Sequence, residues 1–333
     1  MSRKLILPIA LALSLLLGAC AAPAAPVTPT TAPTAVPPTA TTAPTAVPTV
    51  EPTAEPILLT DSLGREVKLA APAQKIVSLA PSNTEILFAI GAGDALIGRD
   101  DFSDYPAEAA NVPSIGSLYP NVNAEAVVAL SPDLVLAAGI TNRDDVKALA
   151  DLGLTVYATS FATGLDDIYT DLLAVGQLTG RQADAEKLVA DMKARVEAVI
   201  SKTANSTDQP KVFYEIDATD PAKPYTTGKG TFIDQLLTMA GGANVGQVGA
   251  DPYFQISLEE LVAQDPAIII LGSATYGGQT PELVAQRAGW EGLAAVKNGA
   301  VYTFDDNLVS RPGPRVVDGL EALAKLIHPE LFQ

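Results

Sequence analysis

The sequence predicts an α/β fold of two Rossmann-like lobes with central, mostly parallel sheets, joined by one long backbone helix and separated by a ligand cleft. Three observations support this prediction. From residue 57 onward, apolar strand-like runs alternate with amphipathic helix patterns, which is typical of parallel sheets. The two halves of this region share a repeated pattern, and one helical segment between them is much longer than the others.

The first 19 residues are predicted to be a lipoprotein signal peptide. Arg3 and Lys4 precede an apolar run at residues 5–17. This run is shorter than the stretch of about 20 apolar residues that a transmembrane helix needs. The run is followed by Gly, Ala and Cys20. This ending resembles the lipobox of bacterial lipoproteins. It implies that Cys20 is lipidated, becomes the new N-terminus and anchors the protein on the extracytoplasmic face of the cell membrane.

Residues 20–56 are predicted to be the lipid-anchored cysteine and a disordered stalk. Residues 21–56 contain ten Pro, ten Thr and ten Ala, and lack Gly, Lys and Arg. Such a segment cannot bury a core, and its prolines favour an extended polyproline II conformation. We interpret the stalk as a spacer of up to roughly 100 Å between the membrane and the folded region.

Strands and helices are predicted in alternation through the rest of the chain. Apolar runs predict strands at residues 75–80, 134–138, 155–159, 211–216, 267–271 and 300–304. Periodic apolar residues predict helices at residues 84–90, 125–130, 143–152, 165–178 and 316–326. Ser82 and Glu85 fit a capping box at the start of the first helix, and Gly91 marks its end.

The longest helical pattern sets the boundaries between the lobes. Leu188, Met192, Val196 and Val199 recur on one helical stripe, and residues 182–202 contain neither Gly nor Pro. The predicted segments are an N-terminal lobe at residues 57–181, a long helix and linker at 182–209, and a C-terminal lobe at 210–333.

Each lobe contains one copy of a repeat. Residues 123–139 align with residues 257–273 without a gap. The alignment pairs Glu125 with Glu259 and, at the same offset, Tyr119 with Tyr253. Duplication is our interpretation, and chance recurrence of helix–strand units is the alternative. A carboxylate in the first turn of a helix is favoured by the helix dipole, so the glutamates either cap helices or face a two-fold symmetric partner. Ligands of α/β sheets bind beyond the carboxyl ends of the strands, which places the tyrosines near the cleft.

Composition argues against several classes of function. Acidic residues outnumber basic ones by 38 to 21, so nucleic-acid binding, which needs cations against phosphates, is not expected. The chain has one histidine, His328, and one cysteine. These counts argue against multi-histidine metal sites and histidine-dependent catalysis. We expect no enzymatic activity, no catalytic residue, no metal and no resident cofactor.

Four stretches of the sequence resemble a known family. Residues 76–91, 101–106, 123–133 and 310–318 are similar to segments of the periplasmic and lipoprotein solute-binding proteins of ABC importers for cobalamin, ferric siderophores and haem. The cobalamin-binding branch is the most similar. The resemblance implies two lobes on a long backbone helix, a monomer, and delivery of a ligand to a two-fold permease dimer with its ATPase subunits.

The resemblance also implies roles for individual residues. The residues implied to bind the ligand are Phe102, Tyr119, Tyr225, Tyr253 and Arg311. Those implied to form salt bridges with the permease are Glu125 and Glu259. Tyrosines stand where the cobalamin branch has cleft tryptophans, and the only tryptophan, Trp290, lies elsewhere. We expect the cleft aromatics to lie in loops, where a flat apolar face and a hydroxyl suit a broad ring with a polar fringe.

Two alternatives to a corrinoid ligand remain open at this point. A ferric siderophore or haem would use the same fold, but an anionic chelate calls for several basic residues. Only Arg99, Lys229, Arg311 and Arg315 are candidates for that role, which favours a neutral or cationic ligand. A more distant alternative is a wall-associated scaffold or a hydrolase on the same fold.

Overall fold

The computed structural model describes residues 55–332. The predicted signal peptide, the lipidation site Cys20 and almost all of the predicted stalk lie outside the described residues. Within the described range, no helix is both long enough and apolar enough to cross a membrane. The range begins with an antiparallel hairpin of β1 (Ile57–Thr60) and β2 (Glu66–Leu69).

The first lobe alternates strands and helices around a parallel sheet. Its elements are β3 (Ile76–Ser78), α1 (Pro81–Ala89), β4 (Leu96–Arg99), α2 (Ala124–Ala129), β5 (Leu134–Ala137), α3 (Arg143–Asp151), β6 (Val156–Ala158) and α4 (Leu165–Thr179). The strand order is β4-β3-β5-β6, and every neighbouring pair is parallel. The carboxyl ends of all four strands therefore lie at one edge of the lobe.

The second lobe follows a 22-residue helix, α5 (Gln182–Thr203). Its elements are β7 (Lys211–Asp217), β8 (Tyr225–Thr227), α6 (Phe232–Met239), β9 (Ala243–Asn244), β10 (Tyr253–Gln255), α7 (Leu258–Gln264), β11 (Ile268–Leu271), α8 (Ala274–Gly277), α9 (Pro281–Ala285), α10 (Ala294–Lys297), β12 (Val301–Thr303), α11 (Asn307–Ser310) and α12 (Val316–Ile327). The strand order is β10-β8-β7-β11-β12, with β9 also beside β7. Strands β7, β9, β11 and β12 are parallel, whereas β8 and β10 pair antiparallel, so this sheet is mixed.

One hydrophobic core joins the two lobes through α5. Its buried residues include Met192 and Val199 of α5, Leu136 of β5 and Ile270 of β11. Strand side chains alternate between faces, so the neighbours of these strand residues point the other way, into a separate core within each lobe. Each sheet therefore buries one face on the shared helix layer and the other face inside its own lobe.

The repeat appears in the structure as the same local geometry in both lobes. Asn123 and Ser257 are the N-caps of α2 and α7, and each side chain accepts a hydrogen bond from a backbone N–H of the first turn. Within the described range, the non-glycine residues with positive φ are Ser131, at 49°, and Asp265, at 46°. Each occupies the same repeat position, just before a proline and the next strand. The shared geometry of these turns supports duplication of the helix–strand unit.

Two details of the fold differ from expectation. Helix α1 begins at Pro81 without a side-chain cap, so Ser82 and Glu85 lie inside the helix and the predicted capping box is wrong. The expected end of this helix is correct, because Gly91 has φ +72° just beyond it. The residues of strands β8 and β10 were expected to lie in loops. The strands were missed because each has only three residues and therefore no long alternating pattern.

Replacing Ser131 with glycine is expected to stabilise the protein. A left-handed backbone costs an L-residue roughly 1–2 kcal/mol, and glycine removes that cost while adding freedom to the unfolded chain. Ser131→Gly should therefore raise the free energy of unfolding by about 0.5–1 kcal/mol in urea denaturation. Asp265→Gly is the matched control, because Asp265 Oδ1 accepts a hydrogen bond from Ala294 N at 2.8 Å that glycine would lose. A Ser131→Gly variant no more stable than Ser131→Ala would contradict the assignment of strain.

Candidate functional site

Two adjoining cavities form a cleft between the lobes. One cavity, lined in part by Tyr225 and called the Tyr225 cavity below, has a volume of about 580 Å³. The other, lined in part by Arg311 and called the Arg311 cavity, has a volume of about 630 Å³. Both are lined by residues of both lobes. The residues common to both walls are Ser82, Ile140, Ser310 and Pro312. Many of the lining residues lie at or just beyond the carboxyl ends of β3, β5, β6, β7 and β12. This is where α/β sheets bind their ligands.

The structure brings all five predicted ligand-binding residues to this cleft. Tyr225 and Tyr253 line the Tyr225 cavity, and Phe102, Tyr119 and Arg311 line the Arg311 cavity. Four of the five are aromatic and exposed, with Tyr119 at 86% exposure. Exposed aromatic faces around a cleft suit a broad, partly apolar ligand. Their role in binding remains a prediction.

Two of these tyrosines lie in strands rather than in loops. Tyr225 begins β8 and Tyr253 begins β10, and the two strands pair antiparallel. The pairing fixes the backbone of both residues in the two outermost strands at one side of the second sheet. The expectation of loops was wrong because a three-residue strand leaves too short a pattern to detect. The cleft aromatics of this lobe are therefore held by a sheet.

Three exposed cleft residues were not among the five. Ile140 and Phe161 are 69% and 61% exposed and line the Tyr225 cavity, and Tyr276 is 69% exposed and lines the Arg311 cavity. Ile140 and Phe161 each follow a parallel strand of the first lobe within three residues. That position beyond a strand end was the signal in the sequence. Tyr276 lies in the short helix α8.

Close packing and hydrogen bonds fix the position of the chain at Ser160 and Phe161. A Cβ on Gly139 would lie 2.2 Å from Phe161 N, so only glycine permits this close approach of two backbones. Next to Phe161, the Ser160 N–H and hydroxyl donate to Asp171 Oδ2 at 3.0 and 2.6 Å. Burial raises the pKa of Asp171 to about 6 in spite of these hydrogen bonds. The segment is thus tied to α4.

Two ion pairs connect the lobes beside the Arg311 cavity, and one of them includes Arg311 of the cavity lining. Arg315 donates two hydrogen bonds to the carboxylate of Glu85, at 2.8 and 2.6 Å. Arg311 Nη1 donates to Asp104 Oδ1 at 2.5 Å, and its Nη2 donates to the Tyr276 hydroxyl at 3.1 Å. Both guanidinium groups belong to the second lobe and both carboxylates to the first. The two lobes are therefore connected by charge-assisted hydrogen bonds as well as by the shared core.

The pKa values of the two carboxylates in these pairs are shifted in opposite directions. Burial raises the pKa of Glu85, although Arg315 and Arg311 oppose the shift. Partial burial also acts to raise the pKa of Asp104. The hydrogen bond from Arg311 and its positive charge together outweigh this effect, so the pKa of Asp104 is lowered. Asp104 has a side chain that is 67% exposed, whereas that of Glu85 is 2% exposed. Asp104 is the solvent-facing member of the network.

The two predicted docking glutamates lie on the surface at equivalent positions. Glu125 and Glu259 are exposed in the first turns of α2 and α7. One turn later, Val128 and Val262 are 42% and 48% exposed. Each lobe therefore presents the same pair of a carboxylate and an apolar side chain. Their role in docking remains a prediction.

Neither a metal site nor the tryptophan lies in the cleft. Among residues 55–332, no three His, Cys, Asp or Glu side chains are grouped to hold a metal ion. Trp290 is 1% exposed in the core of the second lobe, where the Arg287 guanidinium lies 4.5 Å from its ring centroid. Arg287 in turn pairs with buried Glu215. These groups stabilise the lobe interior and do not line either cavity.

Known proteins share this sequence and fold. A family model described as "Periplasmic binding protein" matches residues 76–308. An uncharacterised ABC transporter substrate-binding lipoprotein of Bacillus subtilis is 35% identical over 285 residues, covering 84% of this chain and 87% of the relative. A cobalamin-binding protein of Halobacterium salinarum is 30% identical over 280 residues, covering 82% of this chain and 74% of the relative. The solved structure of a periplasmic haem-binding protein from Pseudomonas aeruginosa is 27% identical with a TM-score of 0.67, covering 77% of this chain and 93% of that chain.

Removing Arg315 is expected to destabilise the protein strongly. Arg315→Ala removes both hydrogen bonds to buried Glu85 and leaves it only the weaker contact with Arg311 at 3.8 Å. Removing one partner of a buried pair costs about 3–5 kcal/mol. Replacing both residues, with Glu85→Leu and Arg315→Met, should restore much of the loss, since an apolar pair needs no compensation. Urea denaturation measures each free energy of unfolding. Arg143→Ala, at an exposed arginine of α3, is the control; a loss for Arg315→Ala no larger than the control's would contradict the role of the pair.

Proposed function

The chain belongs to the periplasmic binding protein family, and on that premise we propose that it captures a corrinoid such as cobalamin in the cleft between its lobes. It is the extracytoplasmic substrate-binding component of an ABC importer of the type that serves vitamin B12, haem or siderophores, and not an enzyme. The choice of a corrinoid within that type is the proposal.

The aromatic lining of the double cavity is the observation that supports a corrinoid best. Each cavity alone has the size of a pocket for one ordinary small ligand, and the two adjoin along a common wall. A ligand that fills both must be broad. A corrin is a wide disc with an apolar face and an amide fringe, which tyrosine can contact with its ring and its hydroxyl. The 30% identity to a cobalamin-binding protein points the same way.

The charge of the cleft also favours a corrinoid over an anionic chelate. Arg311 and Arg315 are both engaged by carboxylates, which leaves Lys229 as the cation of the described cavity linings outside those pairs. A ferric siderophore with several negative charges would need more free cations. A neutral ring needs none.

Haem is the second candidate ligand, because tyrosines are exposed in the cleft. A tyrosine side chain can hold haem iron, and Tyr119 and Tyr276 are among the most exposed aromatic residues of the structure. Either cavity alone could receive one ring. The solved haem-binding protein with the same fold supports keeping this alternative.

Delivery of the ligand is proposed to use the two lobe surfaces. Glu125 and Glu259 would form salt bridges with basic residues of a two-fold permease dimer, which is driven by its ATPase subunits. The binding protein would act as a monomer, since its own repeat supplies the two-fold character. Lipidated Cys20 and the stalk would keep it near the permease without covalent chemistry on the ligand.

Ligand binding is expected to be one-to-one and to depend on the cleft tyrosines. Titration calorimetry with cobalamin, cobinamide, haemin and ferric siderophores should give tight binding of the corrinoids. Tyr119→Ala and Tyr253→Ala should each weaken it by about tenfold, the value of one lost aromatic contact. Heat is the appropriate signal because Trp290 is buried away from the cleft. Leu152→Ala, at an exposed site outside both cavities, serves as the control.

Each outcome of this titration has a consequence for the proposal. Binding of haemin alone would replace the corrinoid with haem and leave the importer role intact. Binding of a corrinoid that is insensitive to both tyrosine substitutions would move the site out of the cleft. No binding of any ligand of the panel would contradict the proposed function.

Reversing both docking charges is expected to abolish uptake without changing ligand affinity. Glu125→Arg with Glu259→Arg would place like charges against the basic residues of the permease, while both residues lie outside the cavities. Uptake of labelled cobalamin by cells and calorimetry of the purified variant measure the two effects. Glu186→Arg with Asp191→Arg makes the same change of net charge on the exposed face of α5. Normal uptake in the first double variant would refute docking through these glutamates.

A further inference from the structure

We propose that Asp104 sets the charge preference of the cleft by neutralising Arg311, so that the protein favours ligands without carboxylates. This inference rests on the proposed function and names the class of corrinoid or related ring that the cleft accepts: neutral or cationic. It assigns a specificity role to a residue that lines neither cavity but contacts one of the lining side chains.

The geometry makes Asp104 the counter-ion of Arg311. The Arg311 side chain is 8% exposed, and its Nη1 lies 2.5 Å from Asp104 Oδ1. Its Nη2 donates to the Tyr276 hydroxyl, and Glu85 Oε1 lies 3.8 Å from Nη1. The guanidinium therefore faces two carboxylates and a phenol. Its positive charge is therefore balanced by protein carboxylates before a ligand arrives, even though it lines the cavity.

The surrounding side chains reinforce this preference. The acidic residues that line the two cavities are Asp100, Asp217 and Asp306, and the basic ones are Lys229 and Arg311. Asp104 and Glu85 both contact Arg311 of this lining, and Glu85 also pairs with Arg315. A ligand carboxylate near Arg311 would thus meet an already neutralised cation next to further acids, and like charges in a partly desolvated site repel strongly.

Asp104 is also placed where it can be changed without dismantling the site. Its side chain is 67% exposed, and it lies two residues after Phe102, which lines the Arg311 cavity. Asparagine has the same shape and can still accept a hydrogen bond from Arg311. The Asp104→Asn variant removes only the charge. The neutral amide oxygen is a weaker acceptor than a carboxylate, so a ligand carboxylate can displace it and form a charge-assisted hydrogen bond with the guanidinium.

The test uses pairs of ligands that differ only in their carboxylates: one in the first pair and two in the second. One pair is cyanocobalamin and its monocarboxylic acid, in which one amide of the ring fringe is hydrolysed; the other is haemin dimethyl ester and haemin. For each protein, calorimetry of the full-length chain gives the ratio of the two dissociation constants. We expect Asp104→Asn to shift this ratio by about tenfold toward the acid, the effect of gaining one hydrogen bond between charged groups.

Two further variants separate this effect from general changes. Asp101→Asn removes the same charge from the same segment, but Asp101 accepts its hydrogen bond from Ser114 and does not contact Arg311. It should leave the ratio as in the wild type. Adding Arg311→Gln to Asp104→Asn should cancel the shift, since the freed cation is then gone. Loosening of the lobes would change both dissociation constants of a pair alike and leave their ratio unchanged.

The possible results discriminate between this inference and the proposed function. A shift confined to Asp104→Asn supports the inference. An equal ratio in Asp104→Asn and Asp101→Asn overturns it while leaving corrinoid or haem capture in place. Failure of every ligand to bind the wild type and all variants contradicts the proposed function, and the inference falls with it.

Discussion

The rest of the structure depends on burial of both sheets against one helix layer. Residues of β5 and β11 point alternately into the shared core around α5 and into the separate cores of the two lobes. Moving one lobe relative to the other would therefore expose apolar surface on α5, at a cost that grows with the area exposed. This constraint fixes the separation of the lobes, and the separation defines the cleft. Lobes connected in this way differ from lobes joined only by flexible hinge strands.

The ion pairs of the cleft are the polar complement to that core. Glu85 is buried, Arg315 is largely buried, and the two side chains form two hydrogen bonds with each other. A buried pair of this kind adds little net stability, because desolvation offsets the attraction. It does penalise any arrangement of the lobes that separates the two charges. The core holds the lobes together, and the buried pair specifies one relative position.

Much of the framework follows from the sequence because it depends on local patterns. The long helix, the parallel strands and the two copies of the repeat are each encoded by periodic apolar residues within one segment. The cleft aromatics were located through the resemblance, and the structure gathers them around two adjoining cavities. Ile140 and Phe161 show that position beyond a parallel strand would have found more of the lining.

The features that the sequence did not predict depend on contacts between distant residues. Glu85 was interpreted as a helix cap because a glutamate three residues after a serine has a local explanation; its partner, Arg315, is 230 positions away. The β8–β10 ribbon was missed because each strand is three residues long and is defined by its pairing rather than by its own pattern. The pairing of Arg311 with Asp104 spans 207 positions and is invisible to any local rule.

The distance between the lobes in solution tests the central claim that α5 and its core hold them in one relation. Nitroxide labels at Leu152→Cys in the first lobe and Leu283→Cys in the second, both exposed sites, can be introduced in a Cys20→Ser chain, which has no other cysteine. Pulsed electron paramagnetic resonance should give one narrow distance distribution that shifts by less than about 2 Å when cobalamin or haemin is added. A broad or two-peaked distribution that narrows only with ligand would contradict the claim and make the lobes flexibly hinged.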